Sequence, residues 1–147
     1  MKKITSIALV ITLLTFGVVL AGGRPLSTTL TGEAEVNAAG VPNQGDLDGE
    51  GSARVTLNQG QGEVCFEINV SGITLPATAA HIHVGAAGVN GPIVVGLAAP
   101  DASGFASGCV SADKALIKAI RQNPADYYVN VHNAEYPPGA VRGQLSR

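Results

Sequence analysis

From Glu63 to Val70 every second residue is apolar: Val64, Phe66, Ile68 and Val70 alternate with Cys65, Glu67 and Asn69. A period of two suits a half-buried β-strand and cannot line one face of a helix. Ser52 to Asn58 repeats the pattern with Ala53, Val55 and Leu57, and Gln59-Gly60-Gln61-Gly62 joins the two runs as a hairpin turn. Upstream, after a short tether from Arg24 to Ser27, Thr28 to Val36 alternates again. Leu30, Gly32, Ala34 and Val36 face one way, and Thr29, Thr31, Glu33 and Glu35 the other. Ala79–Val84, Ile93–Leu97, Phe105–Val110, Tyr127–His132 and Ala140–Leu145 read as further short strands. Ile93–Leu97 is almost wholly apolar, which predicts burial on both faces. Loops rich in Gly, Asn, Asp and Pro separate them, notably Asn37–Gly51, Gly85–Pro92 and Asn133–Gly139. One helix is predicted, Asp113–Gln122, with Leu116, Ile117, Ala119 and Ile120 as its apolar face, Lys114, Lys118 and Arg121 on a solvated one, and Asn123-Pro124 as its stop. Nineteen glycines, eight prolines and no tryptophan agree with a turn-rich, all-β chain, an antiparallel sandwich or barrel.

The first residues are not read as part of that fold. Lys2 and Lys3 precede an uncharged, largely apolar run from Ile4 to Leu20, which leads to Ala21-Gly22-Gly23. A charged start, a short apolar stretch and a small-residue exit predict a secretory signal over residues 1–21, cleaved after Ala21; a retained anchor is the alternative. The mature chain then carries seven basic and eleven acidic residues and no methionine. That balance lacks the basic footprint of a nucleic-acid binder, and nothing else in it marks a membrane protein. The predicted location is secreted, periplasmic or cell surface. In such an oxidising compartment, Cys65 and Cys109 are expected to form a disulfide; a thiolate metal site would need a Cys-x-x-Cys or Cys-x-x-His spacing that is missing.

The sharpest chemical signal is His81-Ile82-His83. Residues i and i+2 of a strand point to the same face, so two imidazoles can converge on one ion. His132, the third histidine, ends another predicted strand on a face shared with Asn130 and Tyr128. If the two strands are neighbours, three nitrogens meet, a donor set that suits copper or zinc. The alternative is that these histidines, beside a glycine-rich loop, cap backbone carbonyls or pack against tyrosine. Asp46-Leu47-Asp48-Gly49-Glu50 places oxygens at alternate positions and offers calcium ligands Asp46, Asp48 and Glu50, but the EF-hand register fails and a solvated acidic turn is preferred. Ser103, Ser107 and Ser111 lack a nucleophile-elbow context, and no glycine-rich segment is followed by the Lys-Ser/Thr of a phosphate loop.

Three segments carry a family likeness. Leu30-Thr-Gly-Glu-Ala-Glu-Val36, Ala80-His-Ile-His-Val-Gly85 through Asn90-Gly-Pro92, and Tyr127-Tyr-Val-Asn-Val-His132 through Ala140-Val-Arg-Gly-Gln-Leu145 resemble the CHRD domain, found repeated in chordin and singly in exported bacterial proteins. Gly45-Asp-Leu-Asp-Gly49 and the cysteine positions resemble the bacterial members, and the domain is expected over residues 27–146. The resemblance implies an extracellular or cell-surface β domain, immunoglobulin-like or superoxide-dismutase-like in fold. His81-Ile-His83 is also loosely similar to the copper-binding strand of Cu/Zn superoxide dismutases, in which Arg142 would correspond to a guide for anions. The remaining ligands of a binuclear centre have no counterparts, since the chain has three histidines. Two functions follow. The preferred one is a non-enzymatic binding or structural module that contacts an unknown protein or cell-surface ligand through the loops at 81–92 and 133–139. The alternative is a mononuclear copper or zinc protein on His81, His83 and His132, with dismutase-like redox activity.

Overall fold

The alternation that marks Glu63–Val70 places Val64, Phe66, Ile68 and Val70 inward, and all four are buried in β3 (Glu63–Ser71). A computed structural model describes residues 24–147, so the predicted export signal lies outside the described residues. Within them, β1 (Leu26–Thr31), β2 (Glu50–Asn58), β3, β4 (Ala79–Val84), β5 (Ile93–Leu97), β6 (Phe105–Ser111), β7 (Tyr127–His132) and β8 (Val141–Gln144) form one sheet. Its order is β5-β4-β7-β8-β1-β2-β3-β6, and every pairing is antiparallel. The edge strands β5 and β6 touch without pairing, which curls the sheet into a nearly closed barrel. The predicted all-β architecture is the one observed. No helix among the described residues is long and apolar enough to cross a membrane.

Leu30, Val55, Val64, Ile68, Ile82, Val129, Val131 and Val141 fill the interior with almost no exposed surface. The helix α1 (Lys114–Gln122) starts where Asp113 accepts hydrogen bonds from the amides of Ala115 and Leu116. It inserts Ile117 and Ile120 into this core, each worth about 1.5–3 kcal/mol of burial. The basic face expected to be solvated is partly engaged instead. Lys114 Nζ donates to Gly60 O at 2.7 Å and Arg121 donates to Gln59 Oε1, which ties the helix to the β2–β3 turn. The predicted disulfide joins Cys65 to Cys109, directly opposed across β3 and β6.

Two expectations are corrected. The first strand starts at Leu26, inside the predicted tether, and ends at Thr31 rather than Val36. Gly32 packs so closely on the Asp46 backbone that an added Cβ would overlap the Asp46 carbonyl. The chain turns there, and the alternation fails beyond it: Ala34 is exposed while Glu35 is buried. The second correction is β5, which is an edge strand with Ile93 53% exposed, not a strand buried on both faces. Apolar composition alone could not reveal that only β4 pairs with it.

Candidate metal centre

β7 is buried along its whole length, on both faces. Val129 and Val131 point into the barrel; Tyr128, Asn130 and His132 point out, beneath the loops that follow β1, β4 and β7. A second, polar layer thus sits on the outside of the barrel wall. The register assembles it. His83 lies opposite Tyr128, His81 opposite Asn130 and one diagonal step from His132, and Asn130 opposite Arg142 on β8.

The two strands are therefore neighbours and the three histidines meet. One ligand nitrogen from each of His81, His83 and His132 lies within 4.8 Å of the others. His81 Nδ1 and His132 Nε2 are 3.1 Å apart. Metal–nitrogen bonds of about 2.0–2.1 Å require such atoms to be roughly 3–4 Å apart, so closing the set takes only small ring rotations.

Backbone carbonyls set two of the rings. His83 Nδ1 donates to Gly91 O at 2.9 Å, and His132 Nδ1 donates to Pro137 O at 2.9 Å. A carbonyl only accepts, so each Nδ1 carries the proton and each Nε2 presents a lone pair to the cluster. This support of the ring nitrogen away from the ion is the usual second layer of a histidine metal site. The Gly91 carbonyl is itself fixed: Tyr128 Oη donates to it at 3.3 Å and accepts from Gly91 N at 3.1 Å. No side chain fits at position 91, because a Cβ there would overlap the Val84 carbonyl.

His83 Nε2 is buried and has no hydrogen-bond partner. The pKa of each ring is lowered. Burial is the largest cause throughout; for His81 the neighbouring His132 and His83 add to it, and for His83 the nearby His132 and Arg142 do, against the Gly91 hydrogen bond. For His132 the Pro137 carbonyl opposes burial. Neutral imidazoles are what a borderline or soft cation binds; His83 Nε2 offers an unshared lone pair, while His132 Nε2 accepts from His81 Nδ1, a hydrogen bond that a cation would replace.

Behind the rings lies a stack. The His83 and Tyr128 rings are 4.8 Å apart and nearly parallel, and the Arg142 guanidinium carbon sits 3.4 Å from the Tyr128 centroid. Arg142 is 1% exposed and donates to Ala86 O at 3.1 Å and Gln144 Oε1 at 3.2 Å. It is enclosed beneath a loop, so it does not reach solvent as a guide for anions would. Glu35, also buried, accepts from Asn130 Nδ2 at 2.7 Å, and burial raises its pKa against the pull of Val36 N, Arg142 and Asn130.

The acidic turn does not gather. Asp46 Oδ1 accepts from the Asp48 amide at 3.3 Å, a local turn bond, while Glu50 lies in β2 beside Ser71. Among the described residues, Asp46, Asp48 and Glu50 do not bring three ligand atoms together. Glu63 does lie with Cys65 and Cys109, but those sulfurs are bonded to each other and are not thiolates.

Sequence reasoning placed the histidines but missed Glu35, and it gave Gly91 and Pro137 no role. The two carbonyls are backbone atoms and leave no side-chain signature. For Glu35 the one available signal, a glutamate within a predicted strand, pointed to solvent.

The CHRD domain profile matches residues 26–145. No curated protein and no solved structure gives a significant match to the chain. With the profile spanning nearly all of the barrel, including β4, β7 and both loops that support the histidines, the chain belongs to the CHRD domain family.

Proposed function

We propose that this CHRD domain is an exported, non-enzymatic module that holds one copper or zinc ion on His81, His83 and His132. The observation that carries the reading is His83 Nε2, a buried lone pair with no partner, aligned with two other histidines. Leaving such an atom unpaired costs about 1–3 kcal/mol, which a bound cation would recover. Carbonyl support of His83 and His132 favours the same conclusion, since it holds both rings in the metal-binding tautomer. The N-terminal Lys2-Lys3 and apolar run, together with the Cys65–Cys109 disulfide, support export to an oxidising compartment. A bound ion there would present a Lewis-acidic centre on the half-buried His81 side.

The test is metal content by mass spectrometry on mature protein exported to an oxidising compartment, beside a His81→Ala/His83→Ala variant, with copper and zinc titrated into both. Near-stoichiometric metal that is lost in the variant is the expected result. No specific metal in either protein, with both folded, overturns the reading. It would leave a module whose loops at 81–92 and 133–139 contact a protein or cell-surface ligand.

A further inference from the structure

Copper and zinc differ in what they ask of the groups around them, and the polar layer discriminates. We infer that the three-histidine centre is a cuprous site, favouring Cu(I) over Cu(II) and zinc, and that the buried Arg142 sets this preference through Tyr128 and His83. The inference rests on the metal-binding reading above and deepens it.

The donor set contains no anion. Among the described residues, the gathering around His81, His83 and His132 includes no carboxylate or free thiolate. The next layer is equally neutral: His83 and His132 are held by the carbonyls of Gly91 and Pro137, not by carboxylates that would enrich the ring with negative charge. A dication bound there keeps its full charge, whereas Cu(I) leaves half of it.

Arg142 then adds a positive charge with no escape to water, which the nearby Glu35 carboxylate offsets in part. Its hydrogen bonds go to neutral acceptors, Ala86 O and Gln144 Oε1, and its Nη1 has no partner. The guanidinium lies on the Tyr128 ring and that ring lies on His83. This stack puts the cation on the order of 10 Å from an ion at His83 Nε2. At that range, with an effective dielectric near 20, one unit of charge shifts the balance between Cu(I) and Cu(II) by roughly tenfold. Glu35, the carboxylate nearest this group, is engaged by Asn130 and by the Val36 amide and makes no hydrogen bond to a histidine.

The experiment uses the full mature protein under anaerobic conditions. Cu(I) is supplied as its bicinchoninate complex, Cu(II) and zinc are added as competitors, and the midpoint potential of the copper-loaded protein is recorded. Expected for the wild type are capture of Cu(I) from the chelator, retention of it against equimolar zinc, and a midpoint above that of the aqueous copper couple. Arg142→Gln should lower the midpoint by about 60 mV, the one-electron equivalent of a tenfold change, and Arg142→Lys should restore most of it. If the protein binds neither copper nor zinc, the metal-binding reading falls and the inference with it; if it binds zinc alone, only the cuprous inference is overturned. If copper binds but the wild-type midpoint lies at or below the aqueous couple, or zinc displaces Cu(I), only the cuprous inference is overturned. Equal shifts in the glutamine and lysine variants overturn the role of charge at Arg142. The wild-type measurements decide the preference even if neither variant folds.

Discussion

Replacing His83 with phenylalanine separates the metal role of this residue from its packing role. The phenyl ring keeps the flat shape that stacks on Tyr128 at 4.8 Å, but it removes both ring nitrogens. In the metal-free protein, the loss is the Nδ1 hydrogen bond to Gly91 O, worth about 1 kcal/mol. That carbonyl is not orphaned, because Tyr128 Oη still donates to it. The gain is removal of the unpartnered Nε2, a relief of about 1–3 kcal/mol. The two effects nearly offset, so the apo variant should unfold in urea within about 1 kcal/mol of wild type, or slightly above it. Metal binding gives the opposite contrast. With free ion at 100 times its Kd, the wild type gains about 2.7 kcal/mol, and the variant, short of one ligand, gains little. Calorimetry of both proteins with and without zinc or copper reads this as a rise in Tm confined to the wild type. A variant destabilised by several kcal/mol without metal would show that His83 is structural. A variant whose Tm still rises with metal as the wild type's does would refute the three-histidine set.

The lowered pKa values of the three histidines make the native state bind fewer protons than the unfolded chain near pH 6, so stability should be level above about pH 7.5 and fall as pH drops through the unfolded value near 6.5. Tm measured from pH 8 to 5 checks this, and His83→Phe should flatten the fall; a Tm that climbs over this range would contradict the assigned burial. Glu35 works in the opposite sense, since a raised carboxyl pKa relieves its burial as pH falls toward 4.5. A Cys65→Ser/Cys109→Ser variant releases a link across a sequence separation of 44 and should lose about 2–4 kcal/mol in urea denaturation; an unchanged midpoint would show that the bond adds nothing to the folded barrel. Gly91→Ala forces the Val84–Gly91 contact apart and should weaken metal affinity at least tenfold while leaving β1 to β3 protected in hydrogen exchange; unaltered affinity would remove the Gly91 carbonyl from the site.

The hairpin of β2 and β3 was legible because it is local: alternation gives the face, and the four-residue turn gives the register. The His81/His83 pair was legible for the same reason, since i and i+2 share a face in any strand. Convergence with His132 was not. β5, β6 and α1 intervene in sequence between β4 and β7, and only the order of the whole sheet makes these two strands neighbours. The end of β1 was hidden by a pattern that continued past Thr31 by composition alone, while the chain turned at Gly32. That turn carries Glu35 over the outer face of β7, where a glutamate read as solvent-facing becomes buried against Asn130.

The outer face of β7 has a physical peculiarity that bears on function. Among the described residues, four buried side-chain atoms lack partners, on β7, on the strands beside it or just after it: His83 Nε2, Asn130 Oδ1, Asn133 Nδ2 and Arg142 Nη1. Asn130 and Arg142 are register partners, His83 stacks on Tyr128 of the same strand, and Asn133 follows its last residue. Covering this face with loops would be better served by apolar side chains, which need no partners and often stabilise more than buried charge does. The chain instead places a cation, a carboxylate, two amides and two buried histidines there. The inner face of the same strand, with Val129 and Val131, follows the ordinary rule. A violation gathered on the outer side of the sheet around β7, beside three converging imidazoles, belongs with a site kept for its chemistry rather than for packing.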